Sequence, residues 1–119
     1  MSALEDFFFE YGGDYETTMQ RFMGNEALYF RILPKLFQDD NLHKLGQTLA
    51  SGNLDSAFEA AHTLKGVSAN LGLTPLYDAV CAIVEPLRQR QTDIDYPNLY
   101  RTVQVEFQRI NNLWEQLKQ

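Results

Sequence analysis

The sequence predicts an all-α fold, an antiparallel four-helix bundle with short N-terminal helices covering one end. Three observations carry that prediction. Apolar residues recur at steps of three and four, and no stretch shows the strict alternation of a strand. Gly12-Gly13, Ser51-Gly52-Asn53, Gly72 and the polar run from Gln91 to Asp95 cut the periodic pattern into segments joined by short loops, which favours antiparallel neighbours. The length of 119 residues and a hydrophobic content of 45% suit one domain with one core, read as 1–119.

In chain order, residues 1–24 are expected to form the cap, as short helices over 2–10 and 14–23. Within it, Phe7-Phe8-Phe9 reads either as an exposed partner patch or as a lid over the open apolar end of the bundle, and the lid is preferred. The bundle is expected over about 25–118. From Asn25 to Ala50, residues Leu28, Ile32, Leu36, Leu42, Leu45 and Leu49 keep a helical period. Pro34 and the Asp39-Asp40-Asn41 cluster make this stretch one kinked helix or two. Over 54–72, residues Leu54, Ala57, Ala61, Leu64, Ser68 and Leu71 share a face; Asn53 and Asp55 signal its start and Gly72 a C′ position. Over 74–90 the stripe is Leu76, Val80, Ile83 and Leu87, with Thr74 as N-cap and Pro75 in the first helical position. Pro86 is expected to kink or loosen its last turn. Cys81, beside that stripe, is expected to be buried and inert. Leu99, Val103, Phe107, Ile110, Trp114 and Leu117 mark a long final helix, capped by Asp95 with Pro97 in its first turn.

Composition excludes several functions. Ten Lys and Arg stand against 16 Asp and Glu, a formal net charge of −6, so no nucleic acid is expected as a partner. One Cys and two His supply neither an internal disulfide nor a structural zinc site. The opening MSALEDFFFEYGG has no basic region and only a three-residue apolar run, unlike a signal peptide. No stretch reaches the ~18 apolar residues of a membrane span. The reading is a soluble, cytoplasmic protein with no membrane association, monomeric by default, and Met1 favours a whole protein over an excised domain.

One helix does not fit a plain bundle. On a wheel of about 100° per residue, Ala57, Ala61, Leu64, Ser68 and Leu71 cluster within about 40° of the core direction. His62 then points about 140° away, Gly66 about 180° away, and Asn70 continues the same exposed strip. Lys65 lies at about 80°, on the flank, within i,i+3 reach of His62. A mid-helix glycine costs about 1 kcal/mol relative to Ala, and a solvent face gives it no packing reason. Its effect is bare space beside the imidazole. Such a histidine is a nucleophile with room for a tetrahedral group, and a phosphoryl dianion there can be offset by the Lys65 ammonium. The bland alternative, an idle exposed histidine with a tolerated glycine, stays open on pattern alone. His43, with no comparable setting, is read as a solvated helix residue.

Residues 60 to 72, A-A-H-T-L-K-G-V-S-A-N-L-G, resemble the signature of histidine-containing phosphotransfer (HPt) domains. That pattern is a phosphoacceptor His, any residue, an aliphatic, Lys, Gly, small residues and a closing Gly. His62, Leu64, Lys65, Gly66, Ser68, Ala69 and Gly72 match it. The resemblance covers roughly residues 20 to 118. It implies a phosphorelay intermediate: His62 accepts a phosphoryl group from the aspartate of one receiver domain and passes it to another. Lys65 would support the phosphoryl charge and Gly66 would give access. The resemblance further implies a phosphocarrier, not an enzyme, with no cofactor of its own, since the receiver supplies Mg²⁺ and the acidic pocket. Its partners would be receiver domains of response regulators or hybrid histidine kinases. Docking would involve Phe58, Ala69 and Asn70 around His62, together with exposed parts of 74–90. Phe58 sits at about 100° on the wheel and could equally pack against the 74–90 helix.

One departure bears on the donor. In the chemotaxis-kinase subtype a glutamate on the following helix hydrogen-bonds the phosphoacceptor; an ungapped reading puts Val84 there and Glu85 one residue off. One residue turns a side chain by about 100°, which favours receiver-to-receiver transfer over phosphorylation by an attached ATP-binding domain. The competing class is a non-catalytic helical adaptor binding receiver or kinase domains through the same face. A ferritin-type metal bundle is rejected, because it needs two inward Glu-x-x-His pairs and the one pair, Glu59 and His62, points outward.

Overall fold

Most helices of this chain begin where a side chain can accept a first-turn N–H that the helix leaves free. In the computed structural model, which describes residues 1–118, Ser2 caps α1 (Ala3–Tyr11) in a reciprocal box with Glu5, and Asp14 caps α2 (Tyr15–Arg21). Asn25 caps α3 (Glu26–Ile32), which passes through Leu33 into the short α4 (Pro34–Gln38). α5 (Asn41–Ala50) follows, and Asn53 caps α6 (Leu54–Asn70). α7 (Thr74–Arg88) starts without a side-chain cap, and Asp95 caps α8 (Tyr96–Leu117), with Pro97 in its first turn as the sequence predicts.

Helices α5, α6, α7 and α8 form the bundle. Each packs on the next, and α8 closes the ring against α5. The expected stripes are its core: Leu45, Leu64, Leu76, Val80, Ile83, Leu87, Val103 and Ile110 are all buried. The N-terminal helices cover the end where α6 stops and α7 begins. Asp14 N–H donates to Gly72 O, the Tyr29 hydroxyl to Leu71 O, and the Tyr11 hydroxyl to Glu106 on α8. Phe7 and Phe8 are buried in this cover, as a lid requires, whereas Phe9 is 81% exposed.

The structure corrects several details. The stretch 25–50 forms three helices, not one or two, because Pro34 starts a new helix at its first position and Asp39 begins the next break. Tyr29 and Leu33 are buried there, while Leu28 and Ile32 of the expected stripe are only half-buried. The N-cap of α7 is Leu73, a fully buried residue, and Thr74 is already helical. Cys81 is half-buried, not buried. Pro86 lies inside α7, which runs only two residues further. No helix among the described residues is long and apolar enough to cross a membrane.

The cover makes stability sensitive to alkali. Burial drives the Tyr11 and Tyr29 phenols well above the ordinary value, and the hydrogen bond to Glu26 is the main reason Tyr15 is pushed up to about 12. A phenol held more tightly by the folded state contributes stability that is complete below the unfolded pKa, about 10, and is lost as pH rises beyond it. The urea midpoint is therefore expected to fall from about pH 10 upward, and to fall less steeply in Tyr29→Phe. Parallel declines in the two proteins would show that Tyr29 is not a source of the alkaline sensitivity.

Candidate functional site

α6 is built so that one face packs tightly and the other stays bare. Ala57, Ala60, Ala61, Leu64 and Ser68 are buried, the small side chains letting neighbouring helices come close. His62, Gly66, Ala69 and Asn70 are exposed, as the wheel predicts for His62, Gly66 and Asn70. The helix closes in a Schellman turn: Gly72 N–H donates to Ala69 O and Leu73 N–H to Ser68 O, with Gly72 at φ 67°.

At Gly66 an added Cβ would meet nothing within 4 Å. No neighbour demands a glycine, so its presence leaves open space one turn from His62. The His62 side chain makes no hydrogen bond among the described residues, which leaves both ring nitrogens available to an incoming group. Lys65, three residues on, is half-buried and forms no ion pair among the described residues. The site thus offers an exposed imidazole, a free ammonium on its flank and room for a tetrahedral anion between them and solvent.

Phe58 lies one turn before His62, with ring centroids 5.5 Å apart and planes inclined by 39°. Two guanidiniums sit over the same Phe58 ring, Arg88 from the end of α7 at 5.3 Å and Arg90 from the turn after it at 4.9 Å from its centroid. Sequence reading placed Phe58 near the site but missed both arginines. The signal was faint: two basic residues at the end of the next helix, whose reach depends on how α6 and α7 pack. Ala69 and Asn70 lie about 10–12 Å along the axis from His62, on the same exposed side. Their carbonyls accept from Arg21 at 3.2 and 2.7 Å, another contact absent from the sequence reading. Val84 is fully buried, and Glu85 is turned to Arg88 at 3.6 Å. His43 is exposed on α5. Below Asn70, a cleft of about 560 Å³ is lined by Val67 of α6, by Leu71 just past its end, and by Phe22, Leu28 and Ile32.

A family model described as Hpt domain matches residues 37–119, which take in all four bundle helices and His62. Comparisons with curated proteins and with solved structures give no match.

Proposed function

The chain belongs to the Hpt domain family, and we propose that it is a phosphorelay intermediate carrying its phosphoryl group on His62. Membership by itself implies histidine phosphotransfer in two-component signalling; Hpt domains are phosphocarrier modules, generally not enzymes, and interact with receiver domains. The observation that supports His62 as the carrier is its exposed, unbonded imidazole beside the unforced gap at Gly66.

In the proposed step, the lone pair of one His62 ring nitrogen attacks the phosphorus of a receiver's aspartyl phosphate. The N–P bond forms, the acyl P–O bond breaks, and the aspartate leaves as a carboxylate with the electron pair. The second ring nitrogen keeps its proton, so the product is a phosphoimidazolium whose dianionic phosphoryl lies within reach of Lys65. Reversal onto a second receiver returns the imidazole to its neutral form. Any Mg²⁺ belongs to the receiver. Ala69 and Asn70 border the face that the receiver covers. Glu85, engaged with Arg88, does not tune His62 for a kinase domain, which favours receivers of response regulators or hybrid kinases in the cytoplasm as donor and acceptor.

Gly66 gives the test. Gly66→Ala should raise stability by about 1 kcal/mol in a melt, because a Cβ there meets open space. Gly66→Leu should slow phosphoryl acceptance from a phosphorylated receiver by about tenfold or more without loss of stability. Wild-type transfer in the leucine variant would remove access as the reason for the glycine.

A further inference from the structure

We propose that Phe58 is a positioning residue: its ring, clamped by Arg88 and Arg90, holds the His62 imidazole in the orientation from which it attacks. This rests on the reading of His62 as phosphoacceptor. The spacing of four puts both side chains on one face of α6, and their rings lie 5.5 Å apart. Phe58 packs partly against the hydrophobic core, and its ring is also met by two guanidinium groups and the His62 imidazole.

The clamp is itself fixed. The Arg90 guanidinium is ion-paired to Asp55 on α6 and donates to Leu87 O at 2.6 Å, on the last turn of α7. Its backbone has φ 53°, in the left-handed region that non-glycine residues seldom occupy. A strained backbone and two polar anchors therefore hold one cation over one ring. Arg88 is steadied by Glu85. Arg88 and Arg90 contact the Phe58 ring, and neither is hydrogen-bonded to His62 among the described residues. Their effect passes through the geometry of the Phe58 ring. An imidazole free to rotate on an exposed helix face presents its lone pair in line with the acyl phosphate only part of the time; one resting against an immobilised ring does so more often.

The test separates positioning from docking. Single-turnover transfer from a phosphorylated receiver, measured over a range of receiver concentrations, gives a maximal rate and a half-saturating concentration. Phe58→Leu should lower the maximal rate by about five- to tenfold. Its half-saturating concentration should stay within about twofold of wild type. Phe58→Tyr, which keeps the ring, should restore the rate, and Arg90→Gln should lower it by less than Phe58→Leu does. A wild-type maximal rate in Phe58→Leu would overturn the proposal, and so would a raised half-saturating concentration at an unchanged maximal rate, which would make the ring a docking contact. Side-chain coupling constants of His62 in the unphosphorylated proteins test it without any transfer. A single χ1 rotamer in wild type and Phe58→Tyr, averaged in Phe58→Leu, supports the clamp, and equal averaging in all three overturns it. Failure of the wild type to accept phosphoryl at all would instead remove the phosphoacceptor reading, leaving the coupling constants to decide the clamp.

Discussion

His62→Gln is expected to abolish acid-labile phosphorylation completely while leaving the protein folded. The imidazole is exposed and makes no hydrogen bond among the described residues, so its loss leaves no buried group unsatisfied. Exposed substitutions of this kind change stability by about 0.5 kcal/mol or less. The tilted contact with Phe58 is given up. Glutamine keeps a polar side chain of similar reach but has no nucleophilic nitrogen, so no N–P bond can form. Intact-mass measurement at mildly alkaline pH after incubation with a phosphorylated receiver reads the first expectation, and a thermal melt the second. Residual phosphorylation in the variant would point to His43 or another acceptor. A large drop in melting temperature would mean that His62 is structural.

Gly72→Ala should be the most destabilising single-methyl change near the site. Gly72 holds φ 67°, and a non-glycine residue there costs about 1–2 kcal/mol. The added Cβ would also overlap the Thr18 Oγ1 and stand 3.1 Å from the Asp14 carbonyl, against the cover formed by the N-terminal helices. Thr18 is 1% exposed and must shift to admit the methyl, so overpacking adds about 1–3 kcal/mol. A fall in melting temperature on the order of 10 °C follows for a domain of this size. Adding Thr18→Ala should recover the steric part and leave the backbone part, so the double variant should fall between Gly72→Ala and wild type. A melt for Gly72→Ala that overlays wild type would contradict both contributions. This turn joins the helix carrying His62 to α7, which explains physically why the motif closes on a glycine.

The bundle was legible wherever a helix has one face to bury. The stripes of the 74–90 and C-terminal helices were read correctly because their apolar spacing, and the Asp95 and Pro97 signals of the latter, agree with the packing they enter. The exposure of His62 and Gly66 followed from the same periodicity. The stretch 25–50 was less legible: its leucines suggested one continuous stripe, yet breaks at Leu33 and Asp39 rotate the face, so Tyr29 and Leu33 are buried ahead of Leu28 and Ile32. Thr74 lost the cap position to Leu73, because burying that leucine at the tight turn outweighs a hydroxyl cap. Within the site, the residues carried by α6 itself could be read. Arg21, Arg88 and Arg90 could not, since they reach α6 from other helices through long side chains whose direction depends on tertiary packing.

The most direct measurement follows one labelled phosphoryl group through two transfers. A receiver carrying labelled aspartyl phosphate is mixed with this protein, the acid-labile labelled protein is isolated, and it is then mixed with a second, unlabelled receiver. Label should move onto His62, be absent from the His62→Gln protein, and leave His62 for the second receiver's aspartate. A protein that binds both receivers but never takes up label, when a control Hpt domain does, would contradict the relay and make this face that of an adaptor.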